Sequence, residues 1–201
     1  MKKIILPILV LALVGFTAHN MKLTEEERTA GIEELNKTKE RVLTVVDGLS
    51  EAQLNFKSSP ESWSVAECVE HLAISENNIG QMLQGALKTP ADPSKRDSVK
   101  ISDEKLMGII TSRDNKVKTS EAFEPSGKFG SYEETLKALV AKRDAHIEYL
   151  KTTEDDLRNH YGQLPFGTID GYQIIMFMSG HTERHVKQME EVMAHTDFPK
   201  K

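Results

Sequence analysis

Two imidazoles stand four residues apart in His181-Thr182-Glu183-Arg184-His185, inside a run with helical apolar spacing. On a helix, positions i and i+4 lie one above the other on the same face. That spacing lets one helix offer two ring nitrogens to a single divalent cation. The pair differs from a zinc-protease helix, in which a Glu general base directly follows the first His. Thr182 holds that position here, and Glu183 points about 200° around the helix from His181. The stretch can therefore supply metal ligands without the protease's base; with no metal it is a solvated or hydrogen-bonded pair.

His71 is the next candidate. It falls two turns into another helical stretch, with Glu67 one turn before it and Ser75 one turn after. Alone, it reads as a hydrogen-bonded core residue or, given partners, as a ligand. Glu67 could orient His71 or act as a base near a metal. Its spacing from Ser64 also makes it half of a capping box. Arg184 and Gln188 could brace the site or form surface pairs, and Gln188, one turn past His185, is the better placed. His160 reads as a solvated loop residue, and His146 and His195 as surface residues. Cys68 is the only cysteine, so no intramolecular disulfide can form. It reads as a small buried apolar residue or as a reactive thiol.

These side chains need helices to position them, and the sequence supplies four. Thr24 with Glu27 forms a capping box opening a helix over 24–48, with an apolar stripe at Leu35, Val42, Val45, Val46 and Leu49. A short turn is expected at 50–54. Ser64 with Glu67 opens a second helix over 64–88, with Trp63 placed as a hydrophobic staple. Its inward positions are Val65, Val69, Leu72, Ile79 and Leu83. Ser131 with Glu134 opens a third over 132–151, with Leu136, Leu139, Val140, Ile147 and Leu150 inward. Thr168 is the expected cap of a fourth over 169–194, which buries Ile175, Met178, Val186, Met189 and Val192. Residues 160–167 read as loop, and no strand is expected. The long link between the second and third helices holds one modest helix, from Ser102 to about Lys118, with Leu106, Ile109 and Ile110 apolar. Such a link favours a crossover in an all-α four-helix bundle over a tight turn.

The chain has 201 residues and a net charge of −5, room for one domain over 24–195 and a short tail at 196–201. Met1-Lys2-Lys3 precedes a 13-residue apolar run from Ile4 to Phe16, the pattern of a secretory signal over residues 1–18. Cleavage near Ala18, with His19 at the junction, would export the domain to the periplasm or beyond. Retention would leave it membrane-anchored. Loss of Lys2 and Lys3 takes the net charge to about −7. An acidic domain lacks the basic footprint of phosphate-backbone binding, which argues against nucleic acid as a partner.

Trp63-Ser64-Val65-Ala66-Glu67-Cys68-Val69-Glu70-His71-Leu72 resembles the W-S-x-x-E-x-x-x-H-L signature of the DinB-like metal-binding bundles. The loop Pro165-Phe166-Gly167-Thr168 with His181-x-x-Arg184-His185-x-x-Gln188 is similar to that family's ending. The resemblance implies an up-down-down-up bundle with a long crossover between its second and third helices. It also implies that His71, His181 and His185 bind one divalent metal, and, since members are often homodimers, that the chain can pair with a second copy. Imidazole ligands suit Zn, Ni, Fe and Mn alike, so ligand type does not choose the metal. Thiol transfer and thiol-dependent isomerisation are the activities the resemblance implies, and water acidified on such a metal would allow hydrolysis of a small molecule. Export weakens the thiol branch, because the thiols concerned are mainly cytosolic. A non-catalytic, metal-stabilised binding or stress-response module of the cell envelope is the alternative.

Overall fold

The ends of the helices are set by side chains that satisfy the free amides of each first turn. The computed structural model describes residues 22–114 and 117–200. Its helices are α1 (Glu25–Val46), α2 (Glu51–Leu54), α3 (Val65–Leu87), α4 (Asp103–Thr111), α5 (Tyr132–Thr152) and α6 (Gly171–Met193). A hairpin of β1 (Tyr161–Leu164) and β2 (Gly167–Asp170) precedes α6. The boxes Thr24/Glu27, Ser64/Glu67 and Ser131/Glu134 all form, as the sequence predicts. Ser50/Gln53 and Asp170/Gln173 add two more.

Long-range bonds give the helix directions. Arg28, early in α1, donates to the carbonyls of Leu150 and Thr153 at the end of α5, so α1 and α5 are antiparallel. Tyr172, at the start of α6, donates to the Glu27 carbonyl, and Arg41 pairs with Glu183 farther along, so α1 and α6 are parallel. Glu70 of α3 holds the backbone just ahead of α5, and Glu76 pairs with Arg143 midway, so α3 and α5 are parallel. The order is therefore up-down-down-up, with the crossover running between α3 and α5. α1 and α3 each pack against both α5 and α6.

The core is divided by a polar belt. One apolar cluster gathers Leu35, Ile79, Leu83, Ile147, Ile175 and Met178; the other gathers Val42, Val65, Leu72, Leu139, Val186 and Met189. Between them each long helix contributes polar groups: Thr38, Glu76, Arg143, and Ser179 with Thr182. The Arg143 guanidinium directs all five N–H groups to partners. Nε and Nη2 reach the Glu76 carboxylate at 2.7 and 3.1 Å, Nη1 reaches the Leu35 carbonyl and Thr38, and Nη2 reaches Thr182 at 2.7 Å. A buried charge is tolerable when its donors are met in this way.

Four local expectations are corrected. Residues 161–170, expected as loop, cap and the first residues of the last helix, form a hairpin whose four-residue strands are too short to show alternation in sequence. Gly167 takes φ +140° at its turn, a conformation that disfavours other residues. The cap of α6 is Asp170 rather than Thr168, because Thr168 is paired in the hairpin while the Asp170 carboxylate accepts from the Gln173 amide. That same carboxylate is held by Arg158, which also binds Glu27 and Asp103 and so joins the starts of α1, α4 and α6. α4 stops at Thr111 and leaves Ile109 exposed. His160 is buried against the Ala86 carbonyl, and His146 is half-buried with Nδ1 2.9 Å from Glu76, so neither is a solvated residue. The expected signal over 1–18 and His19 lie outside the described residues, among which no helix is long and apolar enough to cross a membrane.

Candidate metal centre

Because α3 and α6 pack antiparallel, His71 near the start of one meets His181 and His185 around the middle of the other. One ligand nitrogen from each of the three lies within 4.8 Å of the others, and no carboxylate or thiolate joins the group among the described residues. The Nε2 atoms of His71 and His181 are 3.2 Å apart. Ligands on a tetrahedral cation at about 2.0–2.1 Å would stand about 3.4 Å from each other, so the pair already has nearly that spacing.

The backbone fixes the tautomer of His71. Its Nδ1 lies 2.7 Å from the Phe123 carbonyl. A carbonyl only accepts, so Nδ1 carries the hydrogen and Nε2 keeps a lone pair facing His181. Phe123 belongs to the crossover, which α3 ties down twice. Asn78 donates to the Ala122 carbonyl at 3.2 Å, and Glu70 Oε1 accepts from the Ser126 and Lys128 amides at 3.0 and 3.1 Å. Buried Nδ1 of His185 makes no hydrogen bond of ordinary geometry among the described residues, while Gln188, one turn on, lies close enough to act on the ring.

Burial sets the charge state of the triad. It pushes His71 below the usual imidazole range, against the opposing bond to Phe123. It carries His181 down to about 3, with repulsion from His71 acting in the same sense, and it holds His185 well below its ordinary value. All three are neutral at pH 7, the form that ligates a metal. A stability consequence follows for the metal-free chain. The folded values lie below the unfolded value near 6.5, so the unfolded chain binds more protons and stability falls as pH drops through 6.5 toward 3. Urea midpoints measured at pH 7.5 and 5 should fall in wild type and fall much less in a His181→Ala/His185→Ala variant.

Glu67 is not at the triad. Its Oε2 accepts from the Ser64 amide at 2.8 Å, and its Oε1 pairs with Lys57 at 2.8 Å. The carbonyl of Phe123 takes the orienting contact that the sequence offered to Glu67. Trp63 does more than begin the helix: its ring lies 4.7 Å from that of His71 and 6.0 Å from that of His185. Gln188 accepts from Arg113, whose guanidinium also holds Glu191. Cys68 is fully buried and its thiol is pushed up to about 12, an inert packing residue.

Above the triad opens a cleft of about 970 Å³. Trp63, Phe123, Phe177, Ile79, Met82 and Leu164 line it, together with Arg113, Arg184, Gln188 and His195. Phe123, Phe177 and Arg113 carry no recognisable signal in the sequence, since Phe123 acts through its backbone and the others through crossings set by the fold.

Known proteins agree with this architecture. YfiT from Bacillus subtilis, described as a probable metal-dependent hydrolase with an unusual four-helix bundle topology, superposes with a TM-score of 0.58, covering 86% of this chain and 89% of that one. At 16% identity the likeness speaks for the fold alone. YuaE of Bacillus subtilis strain 168, an uncharacterized protein, is 30% identical over 148 residues, which are 72% of this chain and 86% of YuaE. The model of the DinB superfamily matches residues 34–189, a span that contains all three histidines. The chain belongs to the DinB superfamily.

Proposed function

We propose that His71, His181 and His185 hold one divalent metal ion, and that the protein is a metal-dependent hydrolase of a small molecule. One observation carries the reading: three neutral imidazoles converge at the floor of a cleft, one of them with its lone pair aimed by the Phe123 carbonyl. Three protein ligands leave room for water or substrate, whereas a purely structural site would be closed by a fourth. A bound divalent cation would supply an acidified water and polarise a carbonyl. The chain's own part is to keep the imidazoles neutral by burial, to fix His71 through the crossover, and to wall the site with apolar side chains. The description of YfiT as a probable metal-dependent hydrolase supports the same reading. The apolar run at residues 4–16 supports export as part of it.

The test is hydrolysis of a panel of small esters and amides by the chain stripped with chelator and then reloaded with zinc, nickel, iron or manganese. Activity that disappears with the metal and returns on reloading is the expected result. A panel left uncleaved by a demonstrably loaded chain would refute the hydrolase.

Glu70 gives a separate check on the positioning of His71. Glu70→Ala should weaken the metal by about 10- to 100-fold in a competitive titration, the usual cost of losing support behind a ligand. Glu70→Gln keeps an oxygen for the Ser126 and Lys128 amides and should retain most of the affinity. Equal affinities in both variants would detach the crossover from the site.

A further inference from the structure

Three large hydrophobic side chains stand exposed among the described residues: Ile109 at 46%, Val117 at 77% and Phe166 at 44%. All three lie on the lip of the triad cleft. They arrive from separate elements: α4, the connection after it, and the turn of the β-hairpin. Single exposed hydrophobics scattered over a surface need no explanation, but convergence on one opening does. None belongs to either buried apolar cluster.

The apolar path continues inward. The Phe166 ring lies 6.5 Å from that of Phe177, and Phe177 stacks on His181 at 5.8 Å with an interplanar angle of 22°. Ile79, Met82 and Leu164 face this path, and Met82 offers a flexible thioether that adapts to irregular shapes. Of the cations that also line the cleft, Arg113 is matched by Glu191 at 2.7 Å. The cleft lining is thus mainly apolar, with polar groups brought to it by the imidazoles, Arg113, Arg184, Lys118 and Gln188. Its volume is at the upper end for sites that enclose a whole small molecule.

We propose that the substrate carries an extended apolar arm, an aryl group or a medium-length acyl chain, joined to one oxygen function that reaches the triad. The head of that substrate rests on the metal reading above; the arm rests on the cleft walls alone. Polyhydroxylated sugars fit poorly, because the apolar stretch of the lining would leave most of their hydroxyl groups without partners.

The experiment measures binding of n-alkyl hydroxamates, from acetohydroxamate to octanohydroxamate, and of matching n-alkanols to the zinc-loaded and the metal-free chain. Hydroxamates should bind tighter by roughly threefold to fourfold per methylene until the arm fills the cleft. In an Ile109→Ser/Phe166→Ser variant, whose changes are both exposed, the gain per methylene should drop below about twofold while acetohydroxamate binds as before. Equal binding of acetohydroxamate and octanohydroxamate would overturn the arm and leave the metal reading standing. A chain-length gain in both series with no added affinity from zinc would uphold the arm and overturn the metal reading instead. If the variant turns a dimer into a monomer in sedimentation, the lip is an interface between copies and the proposal falls.

Discussion

Arg143→Ala will destabilise the fold by about 3–5 kcal/mol, read as a lower urea midpoint at pH 7 in the absence of metal. Arg143 and Glu76 are each only 2% exposed, and their contact at 2.7 Å sits between the two apolar clusters. Removing the guanidinium leaves a buried carboxylate facing only His146, and it strips Thr38, Thr182 and the Leu35 carbonyl of a donor. The cost comes from stranded groups more than from a lost attraction. A Glu76→Leu/Arg143→Met variant should therefore be less unstable than the sum of its single changes, because it strands no charge. The Glu76 carboxylate is desolvated, but the Arg143 charge and the bonds from His146 and Arg143 outweigh this and hold it down to about 2. Its contribution is thus full above the ordinary carboxylate range and is lost as pH falls from about 4.5 to 2. A loss under 1 kcal/mol for Arg143→Ala would show that water reaches the belt.

Metal will stabilise the wild type strongly. A ligand that binds only the folded state at 100 times its dissociation constant adds about 2.7 kcal/mol. For a chain of this size that is about 5–10 °C in Tm. The His181→Ala/His185→Ala variant should show no such rise, because it keeps one of three imidazoles. The comparison separates a specific site from loose binding at the acidic surface, which would raise both proteins alike. Equal shifts would remove the triad from the account.

Much of this was legible in the sequence because the relevant signals are local. Ser64/Glu67 and Ser131/Glu134 announce helix starts through side chains three residues apart, and the helices begin there. The inward positions of α3 and α6 follow from 3.6-residue periodicity, and Val65, Leu72, Ile175 and Val186 are all buried. His181 and His185 share a face by spacing alone, and the likeness to a known bundle brought His71 to them. What stayed hidden depends on contacts between distant segments. The carbonyl of Phe123 lies 52 residues from His71 and has no side-chain signature. Thr38, Glu76, Arg143 and Thr182 look like surface residues one helix at a time, and become a belt only when four helices face one another. Glu67 was drawn toward the metal by its place one turn before His71, yet the first turn of α3 and Lys57 already engage its carboxylate. Ile109 looked like core because α4 is amphipathic, but it faces the cleft.

The most direct measurement is the metal content of the purified chain after loading with zinc and removal of the excess, wild type beside His181→Ala/His185→Ala. The account predicts one equivalent per chain in the wild type and less than about a tenth in the variant, a loss expected when two of three ligands are gone. Equal metal in both, or none in either, would contradict it.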